Sequence, residues 1–371
     1  MRAKEKIKVL FFIGSYGTGG KERQLAELIK GLPSEHYEIH MFVKSDGAHY
    51  LDDIKEKLTS FYSLDRARFG RKAFRNIIQH INKVNPHIIH SWADTTSFYA
   101  AFARSFVKNK YILIDGSIRM APLRLNYLSL ISFQRKIINA FSDIVVANSK
   151  AGLKSFHVPA RKSHCIYNGF DFKRLSYLKD PGLVKSELGI ETKHVVGMVA
   201  RFDHEKDWPT YISAAEMMLE SRHDVTFLAV GGGADINKFM DQVSSKYKNR
   251  FIFTGERNDV ESIVNVFDIG ILASYSEGIS NSIIEYMALA KPVITSGSGG
   301  ITELVVQNET GYIFPVGNKE ALYQFIIMLL DDKPLRMSMG ESAKKRINEV
   351  FSFEKMVLAY NQLYQSVACA E

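Results

Sequence analysis

The sequence predicts two consecutive doubly wound α/β domains, and three observations predict it. Short apolar runs alternate with longer amphipathic ones, the pattern of a parallel sheet with crossover helices. That pattern breaks once, at Asn168-Gly169-Phe170-Asp171 and the polar connection through Pro181-Gly182, and then starts again. The chain has 371 residues, enough for two sizeable cores.

In the first half the expected strands are Ile7–Gly14, Tyr37–Val43, His87–Trp92, Tyr111–Ile114, Asp143–Ala147 and Ser163–Tyr167. In the second they are Val195–Ala200, Val225–Val230, Phe251–Thr254, Ile269–Ala273, Pro292–Thr295 and Tyr312–Phe314. The expected divisions are residues 1–175, 176–352 and a terminal segment, 353–371, with a hinge near 170–190. Phe353 to Ala368 is apolar at helical spacing. It reads either as a helix crossing back onto the first domain or as the ordinary last helix of the second. Ligands of such sheets bind at the carboxyl ends of strands, and two such domains facing each other make a cleft.

Cys165 and Cys369 are far apart and fit no metal or redox spacing, so a reducing compartment is expected. Basic residues precede Val9-Leu10-Phe11-Phe12-Ile13, but this apolar run is too short for a signal peptide and ends in a Gly-rich loop. No segment approaches the ~20 apolar residues of a membrane span. The expectation is a cytoplasmic protein, soluble or peripheral on a membrane. Charge is uneven: residues 1–175 hold 29 Lys+Arg against 14 Asp+Glu, a balance of +15, and the remainder holds 19 against 26, a balance of −7. The first half therefore either meets something anionic or carries a solvated basic surface. Nucleic acid is not expected, because no recognition motif accompanies the charge.

The most informative stretch is Ser276-Glu277-Gly278-Ile279-Ser280-Asn281-Ser282-Ile283-Ile284-Glu285. It follows a buried strand and opens a helix from Asn281 to Ala290, which puts Glu277 on the loop and Glu285 about one turn into the helix. An anionic ligand could rest on the helix N–H groups with a carboxylate at each end, which suits a sugar nucleotide. Arg201 and Lys206 follow the strand Val195–Ala200 and could neutralise a departing diphosphate without a metal. Gly231-Gly232-Gly233 follows the next strand, and Gly255-Glu256-Arg257-Asn258, which could read a base edge or be a plain loop, follows the one after. The first strand of the chain runs into Gly14-Ser15-Tyr16-Gly17-Thr18-Gly19-Gly20-Lys21-Glu22. It is either a structural turn or a place where backbone approaches a ligand. It is not a dinucleotide fingerprint, since Lys44 and not an acidic residue comes directly after Val43. His90, at a strand end, could hydrogen-bond a sugar, act as a base or be a satisfied structural histidine.

The order of these motifs resembles the family 4 glycosyltransferases, retaining enzymes of the two-domain GT-B fold. The matching pieces are Gly19-Gly20-Lys21-Glu22, Val146-Ala147-Asn148-Ser149, Asn168-Gly169-Phe170-Asp171, Val199-Ala200-Arg201-Phe202 with Lys206, and Gly231-Gly232-Gly233. They continue with Glu277 to Glu285, Lys291-Pro292-Val293-Ile294, Gly299-Gly300-Ile301-Thr302-Glu303 and Gly311-Tyr312. The text around Gly19-Gly20-Lys21-Glu22-Arg23-Gln24 and His90-Ser91-Trp92 is most similar to bacterial surface-polysaccharide enzymes. The resemblance implies an acceptor-binding first domain and a donor-binding second one. It gives Glu285 the ribose hydroxyls, and gives Glu277 with Gly278, Ile279, Ser280 and Asn281 the donor sugar. Arg201 and Lys206 would stabilise the leaving diphosphate, and Gly20 would let the first domain close on it. No cofactor or metal is implied; the donor is a nucleoside-diphosphate sugar, UDP-sugar favoured over GDP-sugar. The chain departs from many relatives at Asp115-Gly116-Ser117-Ile118-Arg119, which stands where they carry a His loop.

The expected acceptor is a glycan, carried on a polyprenyl pyrophosphate at the cytoplasmic membrane face. Arg66-Ala67-Arg68-Phe69-Gly70-Arg71-Lys72-Ala73-Phe74-Arg75 mixes cations with aromatics, and Leu123 through Phe133 is apolar with Arg119, Arg124, Arg135 and Lys136 around it. Both read either as an anionic-membrane interface or as solvated helix faces. A GT-B sugar-nucleotide epimerase, a phosphorylase and a non-catalytic partner subunit are the alternative functions.

Overall fold

The computed structural model describes residues 5–44, 49–64, 70–122, 130–297 and 299–368. The chain divides into two compact units, Met1–Gly169 with Phe353–Glu371, and Phe170–Ser352. The division falls between Gly169 and Phe170, ahead of the expected residue 175, and the helix Phe353–Ala368 belongs to the first unit.

The first unit holds β1 (Ile7–Ile13), β2 (Tyr37–Val43), β3 (Leu58–Ser63), β4 (Ile88–Ser91), β5 (Ile112–Ile118), β6 (Ile144–Ala147) and β7 (Ser163–Cys165). All pair in parallel, in the order β3-β2-β1-β4-β5-β6-β7. The run Val9–Ile13 is apolar throughout because β1 is covered on both faces. Val9, Phe11 and Ile13 pack with the helices Gly20–Gly31 and Phe353–Ala368, while Leu10 and Phe12 pack with Arg71–Val84 and Asp94–Ala103. Each such side chain contributes about 1.5–3 kcal/mol over leaving it exposed. The last helix is also pinned by polar contacts: the Tyr37 hydroxyl donates to Asn361 Oδ1 at 2.6 Å, and Tyr364 Oη lies 2.6 Å from His90 Nδ1.

Two strands depart from expectation. β3 was not foreseen, because Leu-Thr-Ser-Phe-Tyr-Ser is half polar; it is an edge strand whose residues are only partly buried, and an edge needs no continuous apolar run. β5 continues past Ile114 through Asp115, Gly116 and Ser117. Asp115 can sit inside it because Arg135 and the hydroxyls of Ser97 and Ser117 satisfy its carboxylate.

The second unit holds β8 (His194–Val199), β9 (Val225–Val230), β10 (Phe251–Gly255), β11 (Ile269–Leu272), β12 (Val293–Ser296) and β13 (Gly311–Phe314), ordered β10-β9-β8-β11-β12-β13 and all parallel. Several of its helices start on side-chain caps. Asp207 accepts from Thr210 N ahead of Trp208–Ser221, Asn318 from Ala321 N ahead of Lys319–Asp331, and Asp332 from Leu335 N ahead of Lys333–Val350.

Both sheets reverse direction once. The chain steps outward from β1 to β3 and returns to β4 on the other side of β1; it steps from β8 to β10 and returns to β11 on the other side of β8. At each reversal the crossovers following the two central strands leave for opposite faces of the sheet, the place where such sheets bind ligands. Among the described residues no helix is long and apolar enough to cross a membrane. Of the two segments expected at a membrane, Arg66–Phe69 and residues 123–129, including Arg124, lie outside the described residues.

The histidines of the first unit make its stability pH-dependent. The His80 ring lies 5.7 Å from Phe42 and 4.9 Å from Tyr62, and burial, helped by His40 and Lys83, pushes its pKa down to about 4. Burial also lowers His40 and His90. The unfolded chain therefore takes up protons first, so stability is complete above the ordinary value of 6.5 and is lost as pH falls from there toward about 4. We expect the melting temperature to drop across that window and His80→Phe, which keeps the ring contacts, to reduce the drop. An equal pH dependence in wild type and variant would contradict this account.

Candidate active site

The reversal of the second sheet gathers most of the residues singled out by sequence. The loop leaving β8 carries Arg201 and Lys206, and the loop leaving β11 carries Glu277. Backbone bonds knit the two loops: Asp207 N donates to Ala273 O at 3.0 Å, and Tyr275 N to Glu205 O at 3.0 Å. Lys206 forms an antiparallel bridge with Ser274, and its Nζ makes a contact ion pair with Glu277 Oε1. Both side chains of that pair are 13% exposed, so the pair is shielded but reachable. Glu277 is anchored from its other side, where its carbonyl accepts from Gly300 N at 2.9 Å. Arg201 is arranged differently. Its carbonyl accepts from Trp208 Nε1 at 2.9 Å and Trp208 stacks on Phe202, which fixes the backbone. Its side chain is 72% exposed, with Asp203 and Glu205 at 3.3 and 3.8 Å.

The loop leaving β9 lies against the loop leaving β8. Gly232 O accepts from Phe202 N at 2.9 Å. Gly231 and Gly233 have φ of +146° and +150°, and a Cβ on them would stand 2.1 Å from Ala200 O and 2.4 Å from Phe202 O. Only glycine permits both that backbone conformation and that approach.

Gly278, Ile279 and Ser280 are buried and lead into the helix Asn281–Ala288, which has no side-chain cap at Ser280. Glu285 lies on this helix and is 3% exposed. Its Oε1 accepts from Arg174 Nη2 at 3.2 Å, and the same guanidinium pairs with Glu261. Arg174, Glu261 and Asp207 went unremarked in the sequence. Arg174 stands in a polar connection 111 positions before Glu285, and nothing local joins them. The base-edge contact expected of Arg257 is not the one it makes. Two carboxylates hold its guanidinium: Asp259, at 2.8 Å from Nε, and Glu187, at 2.6 Å from Nη2. Chiefly through Arg257, the Asp259 pKa falls to about 2.

In the first unit the residues at the reversal separate into two groups. Gly19 and Gly20 open the helix Gly20–Gly31 from the loop leaving β1, with Gly19 in an extended conformation. His90, expected at an open strand end, is corrected by its packing. It is 0% exposed, ringed by Phe11, Trp92, Tyr360 and Tyr364, and burial holds its pKa well below the ordinary value. Its Nδ1 is engaged by Tyr364 and Trp92. Arg135 is likewise no surface cation, being buried between Asp115 and Asp94. Arg119 lies 4.0 Å over the Trp92 ring and donates to Gly116 O at 2.9 Å. Lys136 and Phe133 remain exposed on the helix Leu130–Phe141. Among the described residues no group of three or more His, Cys, Asp or Glu could hold a metal ion.

Two parallel α/β units, each with loops gathered at a strand-order reversal, are the architecture of the GT-B fold. The chain belongs to the family 4 glycosyltransferases: the model "Glycosyltransferase Family 4" matches residues 18–174 and "Glycosyl transferases group 1" matches 183–346. The chain is 29% identical over 232 residues to the N-acetyl-alpha-D-glucosaminyl L-malate synthase of Bacillus anthracis, covering 61% of this chain and 60% of that protein. It is 22% identical to the N-acetylgalactosamine-N,N'-diacetylbacillosaminyl-diphospho-undecaprenol 4-alpha-N-acetylgalactosaminyltransferase of Campylobacter jejuni, covering 96% and 98%. In fold it is similar to HepE of Anabaena in complex with UDP and glucose, with a TM-score of 0.83, 21% identity and coverage of 97% and 100%.

The apposed glycine loop gives a direct test. Gly231→Ala should destabilise the second unit by at least about 1–3 kcal/mol through backbone strain alone. Gly17→Ala, where an added Cβ meets nothing within 4 Å, should be close to neutral. Denaturant midpoints of the two variants check this, and equal midpoints would count against the close loop packing.

Proposed function

We propose that this glycosyltransferase moves a hexose or N-acetylhexosamine from a nucleoside-diphosphate sugar, UDP-sugar in preference to GDP-sugar, to a glycan carried on a polyprenyl pyrophosphate. The transfer retains anomeric configuration, needs no metal and serves bacterial surface polysaccharide synthesis at the cytoplasmic face of the membrane. The observation that carries the donor half is the pairing of Lys206 with Glu277 at the reversal of the second sheet, beside the start of the helix bearing Glu285.

That arrangement has the polarity a sugar nucleotide requires. Glu285 receives the ribose hydroxyls. The diphosphate lies near the start of the helix Asn281–Ala288, whose backbone N–H groups favour anions. Lys206 and the exposed Arg201 meet the charge that develops on the diphosphate as the glycosidic bond breaks. Glu277, with the amides that follow it, faces the hydroxyls of the donor sugar. Without ligand, Lys206 and Glu277 neutralise each other. An arriving diphosphate draws on Lys206 and releases part of the Glu277 carboxylate to the sugar. Gly232 lets backbone stand close to the nucleotide. The UDP preference is supported by the HepE complex, and the lipid-linked acceptor by the name of the Campylobacter relative.

In a panel of UDP-, GDP- and ADP-sugars, UDP-sugars should raise the melting temperature most, since a ligand of the folded state alone stabilises it. Glu285→Ala should weaken that binding on the order of tenfold, as loss of a charged hydrogen bond does. Lys206→Ala should lower nucleoside-diphosphate release from the preferred donor by roughly a hundredfold, with a smaller effect on binding. Near wild-type values for both variants would sink the site assignment.

A further inference from the structure

Glu285 is a carboxylate in a protein interior, and something must compensate its lost hydration. The compensation comes from Arg174, whose Nη2 lies 3.2 Å from Glu285 Oε1. The arginine is itself constrained on several sides. Its guanidinium also pairs with Glu261 on the helix Val260–Asn265, and it lies 4.8 Å over the ring of Phe170. Phe170 is fixed in turn: its N–H donates to Phe351 O at 2.9 Å, and it bridges Ser352. Further along, Lys179 N donates to Ser262 Oγ at 3.0 Å and Lys179 Nζ to Asp259 Oδ2 at 2.6 Å, which docks the rest of this connection onto the same helix. The three side chains are well covered, at 19% exposure for Arg174, 14% for Glu261 and 4% for Glu285.

We propose that Arg174 is a positioning residue for the donor, holding the Glu285 carboxylate in the orientation that receives the ribose hydroxyls. The assignment rests on the reading of Glu285 as the ribose ligand. A planar guanidinium can serve two carboxylates and stack on a ring at once, so it fixes direction as well as charge. Lysine supplies the charge as a point and loses the fixed direction. Donor recognition thus depends on a residue in the connection that opens the second unit, outside the Glu277–Glu285 segment. Arg174 acts through Glu285 and stays clear of the reacting atoms.

The test is a double-mutant cycle read by calorimetry, with UDP, GDP and ADP and their 2′-deoxy and 3′-deoxy forms as probes, on wild type, Arg174→Ala, Arg174→Lys, Glu285→Ala and the double alanine variant. Wild type should bind the tightest of the three nucleotides well ahead of at least one of its deoxy forms. Arg174→Ala should weaken binding by about tenfold and erase most of that preference, with Arg174→Lys in between. In the Glu285→Ala background, removal of Arg174 should add less than about twofold. Arg174→Lys keeps the question decidable if the alanine variant does not fold, because it too should lose part of the hydroxyl preference. If Glu285→Ala loses the preference but the Arg174 variants keep it, the positioning role is overturned and the ribose assignment stands. An undiminished effect of Arg174→Ala in the Glu285→Ala background overturns the positioning role as well. If Glu285→Ala itself keeps wild-type affinity and preference, or none of the three nucleotides binds wild type, the ribose assignment falls and takes the proposal with it.

Discussion

A parallel sheet covered on both faces is the constraint on which the rest of this molecule depends. Its strands must be apolar on both sides, so they cannot carry chemistry within their length. The crossovers cover both faces only if the strand order reverses, and at the reversal the two neighbouring crossovers leave for opposite faces. In the second unit those are the loops after Val199 and Leu272, and they bear Arg201, Lys206 and Glu277. The charged residues stand where the sheet can no longer bury them.

Bringing the two loops together creates an electrostatic arrangement that neither possesses alone. Lys206 and Glu277 are 71 positions apart and meet as a shielded ion pair. Arg201, five positions before Lys206, is left largely exposed. One cation is thus held inside the site and the other stands at its edge. Glu285 is deeper still and is matched by Arg174. Lys206, Glu277 and Glu285 each have a partner of opposite sign, as the cost of desolvation demands.

The first unit uses the same sheet plan for a different balance. Arg135, expected as a surface cation, is buried and joins the buried Asp115 to Asp94, whose side chain is exposed. His90, Trp92, Tyr360 and Tyr364 form an aromatic cluster that ties the terminal helix to the sheet. Arg135 is therefore held internally, while Lys55, Lys72, Lys108, Lys110 and Lys136 stay exposed.

The sequence by itself determined the elements whose pattern is local. Val9–Ile13 is a continuous apolar run and Val225–Val230 is one but for Thr226, and both are buried throughout; the two compact units divide between Gly169 and Phe170, within the break that starts at Asn168. Glycines at 231–233 and the carboxylates at 277 and 285 were legible because their spacing relative to a strand and a helix start is itself local. The tertiary structure alone decided which charges meet. β3 escaped notice because an edge strand needs only partial burial, the role of His90 stayed open because burial by a helix 274 positions away leaves no local mark, and Arg135 looked available because Asp115 lies 20 positions away; for Arg257 the distant partner is Glu187, while Asp259 is only two positions on. Periodicity is set by neighbours in sequence, whereas ion pairing and burial are set by neighbours in space.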